Sequence, residues 1–374
     1  MLGRQTARGF IPRQHDVFIG LDVDKASISL TCLDHEQMVK SLRMPYQAAG
    51  LLKFVERQFP QKQIAFVYEA GPTGFGLHDD LTQAGYPCLV VSPSMVPQAS
   101  GNRIKTNRLD SQKLAESLRG GQLKGIHVPS EPYRQLRHLT QLRDTFVQQS
   151  RAAQCRIKAL LLLEGIAFPG TQWSQATLAK LEVLACPEAV HFKLIRLIQT
   201  LRFAQAQIKD TTKEILRFCH QEPEISRCLG YLMSVPGIGT ATGTQLLARI
   251  GDWRNLRHVR QLASFLGLVA SERSTGDSTR RGRITRAGDS RLRNKLIQAA
   301  WVAIRQDSEL KVFYWRIYNR HAGTQASYKA IVAVARKLTT RIYAVLSEQR
   351  VYVVRTQEEQ TPPGQTRMPA EPAS

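Results

Sequence analysis

The chain has 374 residues, which excludes a single small module, because one domain usually takes ~100–200 residues. Hydrophobic residues make up 43% and charged residues 22%, as in globular proteins, so global disorder is not expected. There are 52 lysines and arginines against 30 acidic residues, a formal net charge of +22. An excess of this size indicates a polyanionic partner, either nucleic acid or an anionic membrane surface.

The distribution of apolar residues argues against the membrane. The best apolar run, Ala159 to Leu163, ends at Glu164, far short of the ~20 residues that a spanning helix needs. The N-terminus carries basic residues but no apolar core, so no secretory signal is recognised. The 6 cysteines form no CxxC pair. We therefore expect reduced thiols in a cytoplasmic protein and no structural zinc site.

The first part of the chain, residues 15–125, is predicted to be an α/β domain. A β-branched run at 17–23, period-two alternation at 27–33 and a short strand at about 38–43 indicate a three-stranded meander. Further segments are predicted in the order helix 48–59, strand 64–69, helix 74–85, strand 87–91 and helix 108–119. By analogy, this is the order of elements in an RNase H-like sheet.

Three acidic residues of this domain form the first candidate site. Asp22 lies inside the first strand, where an unpaired carboxylate is costly, Glu69 ends the strand 64–69, and Asp110 begins the last helix. If the two strands are neighbours, the three carboxylates can meet. Such a set suits Mg²⁺, and two ions ~3.5–4 Å apart clamp a phosphodiester for displacement. The alternative is that Asp22 and Asp110 are turn or capping residues.

The middle of the chain, residues 126–224, is predicted to be helical. Apolar positions recur at alternating intervals of four and three, which is the period of a coiled-coil seam. They are Val190, Leu194, Leu197, Leu201, Ala204, Ile208, Thr211, Ile215 and Phe218, with a weaker stripe at Leu139, Leu142, Phe146, Ala153 and Leu160. Two antiparallel helices that form a spacer or a dimer arm are the simplest interpretation.

Residues 225–350 are predicted to be helical and are more basic, and residues 351–374, rich in proline and polar residues, are predicted to be a disordered tail. Gly237 and Gly239 indicate a tight turn before a helix that begins near Thr240. The amide groups at that helix N-terminus can hold a phosphate oxygen. This helix-hairpin-helix pattern contacts nucleic-acid backbone without reading sequence; the alternative is an ordinary helical hairpin.

A predicted loop of small hydroxyl residues at 274–278 forms the third candidate site. It is bracketed by Arg273, Arg280, Arg281, Arg283 and Arg286. Guanidinium groups grip phosphates bidentately and stabilise charge in a phosphoryl transition state, and a hydroxyl group between them can attack phosphorus. The alternative is a loop that only contacts phosphate.

Together these segments resemble the DEDD-type insertion-sequence transposases, a family of serine recombinases guided by a bridge RNA. The matching motifs, in order, are GLDVDK (20–25), YEAGPTG (68–74), RIKTNRLDSQKLAE (103–116), VPGIG (235–239), FLGLVASERSTG (265–276) and RRGRITRAGDSRLR (280–293). The likeness covers about residues 15–320. It implies a RuvC-type RNase H-like domain, a coiled-coil region and a C-terminal transposase domain with a catalytic serine.

The resemblance also implies roles for single residues. Asp22, Glu69 and Asp110 correspond to three of the four family carboxylates, and the remaining one falls on Asn107, which offers Mg²⁺ a neutral carbonyl oxygen. Asn107 and Asp110 belong to the motif at 103–116. By the same resemblance, Lys105 of that motif is expected to contact nucleic acid. The family serine precedes a glycine, where this chain has Thr275.

Three hydroxyl groups therefore compete for the role of nucleophile. We rank Ser274 first, because a primary alcohol is less hindered and a shift of one residue would present it. Thr275 is second and Ser278 third.

The implied mechanism cleaves DNA through a phosphoserine-type linkage and then religates the strands. The implied partners are double-stranded donor and target DNA, a non-coding guide RNA, and further copies of the chain, a dimer that assembles to a tetramer on DNA. The expected location is the bacterial cytoplasm, at the nucleoid. Two other functions stay open: a Mg²⁺-dependent RuvC-like endonuclease in which water attacks, and a non-enzymatic nucleic-acid-binding protein whose carboxylate set has decayed at Asn107.

Overall fold

The computed structural model describes residues 10–97, 106–275, 278–321, 323 and 325–354, and only the backbone of residues 273–275 and 278–281. The chain divides into two compact units, Met1–Val128 and Pro129–Ser374. Lys105 lies outside the described residues. Among the helices of the described residues, none is both long and apolar enough to cross a membrane.

The first unit is a mixed α/β domain, as the sequence predicts. Its elements are β1 (Val17–Val23), β2 (Ser27–Leu33), β3 (Met38–Pro45), α1 (Ala48–Gln58), β4 (Ile64–Glu69), α2 (Gly76–Gln83), β5 (Cys88–Val91) and α3 (Asn107–Arg119). The strand order is β3-β2-β1-β4-β5. The strand β1 is antiparallel to β2 and parallel to β4, so the two predicted strands that end in carboxylates are indeed neighbours.

The two faces of this sheet are covered by different helices, because successive side chains of a strand point to opposite sides. Ile19 and Phe66 belong to the core that includes residues of α1 and α2. Phe18 and Val67 belong to a separate cluster with Leu114 of α3. Among the described helices, only α3 contributes residues to the cluster on this second face.

Backbone contact holds α3 against β1. A Cβ atom added to Gly20 would lie 2.1 Å from the carbonyl oxygen of Ser111 and 2.5 Å from the amide nitrogen of Ala115. Beside this contact, the buried hydroxyl groups of Thr31 and Ser111 are 2.9 Å apart and share a hydrogen bond. Only glycine permits this approach, so position 20 sets the height of α3 above the sheet.

The second unit is mainly helical. Its elements are α4 (Glu131–Leu163), α5 (Gln175–Glu182), α6 (Glu188–Gln221), α7 (Pro223–Met233), α8 (Thr240–Ile250), α9 (Val259–Phe265), β6 (Ala270–Thr275), β7 (Ser278–Ile284), α10 (Ser290–Gln306), α11 (Ser308–Tyr318) and α12 (Ala326–Ser347). A core of buried residues joins the start of α4 and the end of α6 to the helices from α7 onward.

The two long helices form the predicted antiparallel pair within one chain. The guanidinium of Arg143 donates to the hydroxyl of Thr212 at 2.8 Å, and farther along α4, Phe146 meets the earlier Phe203 with ring centroids 6.2 Å apart. Leu194, Leu201, Ala204, Thr211 and Ile215 of the predicted seam are buried. In the weaker stripe, Leu142 is 46% exposed, so that position does not belong to the contact.

Side chains fix the base of this helical arm to the helices that follow it. Arg137 of α4 donates to the carbonyl oxygen of Ala248 at 3.1 Å. Asp144 of α4 accepts a hydrogen bond from Gln245 and lies 3.7 Å from the ammonium group of Lys295 in α10. Burial lowers the pKa of Lys295, against the opposing effect of Asp144. The base of the arm is therefore fixed to α8 and α10.

The C-terminal region differs from the prediction in one element. Residues 274–278 were expected to be a loop in a helical region, but β6 and β7 form an antiparallel hairpin. The segment contains the β-branched residues Thr275, Thr279 and Ile284, which favour extended backbone when a second strand is present to pair with. The prediction of a loop is therefore wrong on both sides of residues 276–277.

The chain remains ordered for a short distance past α12. Tyr352, which lies in the predicted tail, donates from its hydroxyl group to Asp307 at 2.8 Å and from its amide to the hydroxyl of Ser234 at 2.7 Å. Asp307 also pairs with Arg341 in the interior. The rest of the predicted tail, from residue 355, lies outside the described residues.

We predict that Gly20→Ala lowers the stability of the first unit by about 1–3 kcal/mol, the usual cost of overpacking. The added methyl group would displace α3 from β1. The matched control is Gly76→Ala at the start of α2, where an added Cβ has no neighbour within 4 Å and alanine favours the helix. The check is the midpoint of thermal unfolding by circular dichroism: equal midpoints for the two variants would contradict the prediction.

Candidate functional site

Two carboxylates lie side by side at the C-terminal ends of parallel strands. The register of β1 and β4 pairs Gly20 with Val67 and Leu21 with Tyr68, so Asp22 and Glu69 occupy the next positions. Alternation of side chains along a strand places Asp22 on the same face as Gly20, and Glu69 on the same face as Val67. That face is the one that α3 covers, and both carboxylate residues are half-buried there.

The helix α3 brings the remaining predicted residues to the same face. Asn107 is its first residue and Asp110 lies in its first turn, where the helix dipole favours a negative charge. The side chain of Thr106 caps the helix by accepting from the amide of Leu109 at 3.3 Å. Capping therefore does not explain Asp110. Because Ser111 contacts Gly20, the neighbouring Asp110 is held near the end of β1.

The turn alternative for Asp22 is also excluded. The residue that closes the β1–β2 turn is Asp24, whose amide donates to the carbonyl oxygen of Ser27 at 2.9 Å. Asp24 also accepts a hydrogen bond from the side-chain amide of Asn107, at 2.7 Å. The sequence analysis did not predict this contact, which joins two segments 83 residues apart.

The contact gives a physical reason for asparagine at position 107. An ionised aspartate accepts hydrogen bonds but cannot donate one, and it would repel the carboxylate of Asp24. The side-chain amide of Asn107 donates instead. Compared with an aspartate at this position, the site has one negative charge less and gains a hydrogen bond that anchors the start of α3. A shared contact of this kind argues against simple decay of the carboxylate set.

The donor atoms of this site suit a magnesium ion. Carboxylate and amide oxygens are its preferred ligands, and Mg²⁺ usually keeps several waters and binds through one or two carboxylates. Within the described part of the chain, no group of three or more histidine, cysteine, aspartate or glutamate side chains is arranged to hold a metal ion. Asp22 and Glu69 on one face therefore fit a hydrated ion better than a closed protein cage.

A basic groove that sequence reasoning missed borders the same face. It has a volume of about 480 Å³, and its lining includes Ser29, Arg43 and Arg108. Lys40 also lines it, but its ammonium group lies on the opposite face of the sheet, over the ring of Phe54 in α1. Ser29 is paired with Asp22 on one side and with Arg43 on the other, so the groove lies one strand from the carboxylates. The alternation of polar and apolar residues in β3 was the available signal, because it places Arg43 on the α3 side.

The turn before α8 has the predicted glycine geometry. Gly237 has a φ of 83°, and a Cβ atom there would lie 2.2 Å from the carbonyl oxygen of Ala299 in α10. Gly237 thus has a packing role in the described structure. Gly239 is exposed and is the N-cap residue of α8, which has no side-chain cap and no acidic residue in its first turn. The backbone amides at this N-terminus of α8 are the groups that are predicted from the sequence to bind phosphate.

The three candidate nucleophiles lie on the β6–β7 hairpin. The backbone register pairs Ser274 with Thr279 and Thr275 with Ser278. Of the predicted arginines, Arg283 and Arg286 are exposed near the base of the hairpin. The described backbone of Arg273, Arg280 and Arg281 lies in the two strands.

The base of the hairpin is held by a buried arginine that the sequence did not single out. Arg293 of α10 is 8% exposed and donates to the carbonyl oxygen of Leu266 at 3.0 Å. A Cβ atom added to Gly288 would lie 2.3 Å from the carbonyl oxygen of Phe265. These contacts join the segment that precedes β6 to the segment that follows β7.

Comparisons with known proteins match both candidate regions. Residues 19–165, which include Asp22 and Glu69, match a DEDD transposase family model of the IS110 type, described as Transposase. Residues 229–315, which include Ser274, match a family model described as Transposase IS116/IS110/IS902 family.

Curated relatives extend over most of the chain. It is 28% identical over 291 residues to a putative transposase of Sinorhizobium fredii, covering 76% of this chain and 71% of that protein. It is 27% identical over 347 residues to a probable family 20 transposase of Pseudomonas aeruginosa, covering 89% and 98%. It is 26% identical over 286 residues to the transposase for insertion sequence element IS1328 of Yersinia enterocolitica, covering 76% and 83%.

We predict that Arg43→Ala and Arg108→Ala each weaken binding of double-stranded DNA. Each change removes one cation from the basic groove, so the slope of log K against log salt concentration should fall by about 1. The control is Lys62→Ala, an exposed lysine just before β4, at the other end of that strand from Glu69. Titrations at several salt concentrations check this, and an unchanged slope for both arginine variants would remove the groove from the DNA-binding surface.

Proposed function

The chain belongs to the IS110/IS116 family of DEDD transposases and is a DNA transposase; from this premise we propose that it cuts and rejoins DNA strands through a covalent link to a hydroxyl group of the protein. In this proposal the first unit supplies carboxylates and the second supplies the nucleophile. The domains are 15–125, an RNase H-like domain of the RuvC type; 126–224, the helical arm; and 225–350, the transposase domain with its helix-hairpin-helix.

One observation carries the proposal: Asp22, the penultimate residue of β1, and Glu69, the last residue of β4, lie side by side on the face that α3 covers. Such a pair, with Asp110 on the adjoining helix, supports phosphodiester chemistry more than any structural role. Asp22 and Glu69 would hold a hydrated Mg²⁺, and Asp110 and the carbonyl oxygen of Asn107 are proposed to contact it through its bound waters. When bound, that ion supplies Lewis acidity and orients the scissile phosphate.

The covalent step is an exchange of phosphodiester bonds. The hydroxyl oxygen of Ser274 attacks phosphorus and loses its proton, while the bond from phosphorus to the leaving DNA oxygen breaks and that oxygen takes up a proton. The reverse attack by a hydroxyl group of another strand restores the serine and rejoins DNA. Because each bond broken is replaced by one of the same kind, no co-reactant is needed. Thr275 and Ser278 are the second and third candidates for the attacking group.

Exposed cations support the step electrostatically. Arg283 and Arg286 lie at the base of the hairpin, and Arg273, Arg280 and Arg281 lie in its strands. Guanidinium groups at such positions would neutralise charge that develops on the phosphate oxygens. The amides of Thr240 and Ala241, at the start of α8, would hold a flanking phosphate without reading the bases.

The remaining parts of the proposal concern partners. Donor and target DNA are double-stranded, a structured non-coding RNA selects them by base pairing, and copies of the chain assemble as a dimer and then a tetramer on DNA, at the nucleoid in the cytoplasm. The support is the net charge of +22, since a protein that reads backbone and shape needs charge more than base-reading side chains. Nucleic acid that copurifies with the protein should then be sensitive to ribonuclease.

We predict that Asp22→Asn and Glu69→Gln each lower strand cleavage by at least ~100-fold, the usual loss when a group that stabilises transition-state charge is removed. Neither change alters side-chain size, so folding should be retained. Asp80→Asn, at an exposed position of α2, is the matched control. Cleavage of a DNA fragment containing the element's ends measures the effect, and full activity of Asp22→Asn would refute a role for that carboxylate.

We predict that Ser274→Ala abolishes both cleavage and the covalent protein–DNA adduct, since the side chain left behind has no nucleophile. The adduct is measured after denaturing electrophoresis of labelled DNA. Parallel Thr275→Ala and Ser278→Ala variants identify the attacking residue if Ser274→Ala stays active. Nicking by all three variants without any adduct would instead assign the attack to water and support a RuvC-like endonuclease.

A further inference from the structure

An aromatic cluster lies between α10 and α11, outside the regions that the proposed reaction uses. The ring centroid of Trp301 is 5.8 Å from that of Tyr314. Tyr314 is 5.4 Å from Trp315 and stacks on Tyr318 at 6.0 Å, while Trp315 and Tyr318 meet edge to face at 5.3 Å. Tyr314 therefore contacts the other three rings and joins them into one cluster.

Most of this aromatic cluster faces solvent. Trp301 is 36% exposed, Trp315 48% and Tyr318 36%. Tyr314 is buried beneath them and shares a hydrogen bond of 3.1 Å with the hydroxyl of Ser327 at the start of α12. The next residue, Tyr328, is 72% exposed. Three helices thus present aromatic rings on a support that is itself fixed by packing and a hydrogen bond.

The surroundings of the cluster are strongly basic. Among the exposed cations of this segment, Arg305 follows Trp301 by one helical turn and Lys311 precedes Trp315 by one turn. Arg320 and Lys329 are also exposed, whereas the guanidinium group of Arg316 lies over the ring of Phe313. The acidic residues between positions 301 and 329 are Asp307 and Glu309. Asp307 pairs with Arg341, and Glu309 pairs with Arg341 at 3.0 Å and with Lys337. Both acids are engaged by cations of α12, so the segment keeps its excess of positive charge.

We propose that the aromatic cluster binds unpaired bases of a nucleic-acid strand by stacking, while the neighbouring cations hold that strand's phosphates. Exposed aromatic rings beside lysine and arginine are the usual means of binding single strands. The inference rests on the proposed function for its substrate class and adds a separate site with a preference for unpaired bases. Single-stranded DNA and single-stranded RNA both have unpaired bases and phosphates, so either can be the ligand.

A second copy of the chain fits this surface less well. An isologous contact would bring the same patch of both protomers together, and each patch carries exposed cations such as Arg305 and Lys311. Like charges at an interface oppose association. A polyanion with planar bases satisfies both the rings and the charge.

The test uses the full chain and oligonucleotides of about 12 nucleotides, within the ~4–16 that single-strand sites cover. The probes are labelled oligothymidine, oligouridine, and an abasic strand with the same number of phosphates. Binding is followed by fluorescence anisotropy and by quenching of tryptophan, since two of the 4 tryptophans lie in the cluster. Strands with bases should bind more tightly and quench emission. Equal affinity for the abasic strand would overturn the proposal, and the two base-containing probes report whether DNA or RNA is preferred.

Variants assign the effect to the cluster. Trp315→Ala should weaken binding of strands with bases by about 5- to 150-fold, the equivalent of one stacked base, and Trp315→Tyr should restore most of it. Val312→Ala, at a 57% exposed apolar position on the same helix, is the control and should bind as the parent chain does. If Trp315→Ala does not fold, Tyr328→Ala serves as the second variant and should show a loss in the same direction.

The outcomes separate this proposal from the proposed function. Unchanged single-strand affinity of Trp315→Ala, with or without a change in oligomeric state, would overturn the stacking site and leave strand cleavage untouched. Loss of single-strand affinity with normal binding of double-stranded DNA supports the stacking site. Failure of Asp22→Asn to impair cleavage would refute the proposed reaction alone, because stacking does not require that carboxylate.

Discussion

The contact between the backbones of β1 and α3 at Gly20 determines the geometry of the carboxylate region. With no side chain between them, the helix lies directly on the strand, and the buried hydrogen bond between Thr31 and Ser111 closes the same contact. The first turn of α3, with Asp110, therefore remains near the strand end that carries Asp22. Any larger residue at position 20 would act on the site through the position of this helix.

In the second unit, close backbone contacts and a buried arginine fix the base of the β6–β7 hairpin. Arg293 and Gly288 hold the chain where β6 begins and β7 ends, and Asp144, Gln245 and Lys295 fix the long arm to the helices around it. Buried polar groups in these places have defined partners, which favours one arrangement over several. A hydroxyl group on the hairpin is thus carried by a rigid base.

Charge is distributed unevenly between packing and surface. Arg137, Arg293 and Arg341 are engaged in the interior with carbonyl oxygens or carboxylates. The groove beside the carboxylates and the surroundings of the aromatic cluster carry exposed cations instead. The net charge of +22 therefore includes structural cations as well as those that face a polyanion, and composition alone does not separate the two.

Sequence patterns predicted the α/β order of the first unit and the antiparallel long helices, because hydrophobic periodicity reflects burial directly. That β1 and β4 are neighbours, which places Asp22 beside Glu69, came from the structure. The sequence did not determine the β6–β7 hairpin, since short polar segments become strands only when a partner strand is present. Nor did it reveal the bond from Asn107 to Asp24, the basic groove, or the aromatic cluster of α10 and α11. Those features join residues far apart in the chain, and only the packing of helices and strands brings them together.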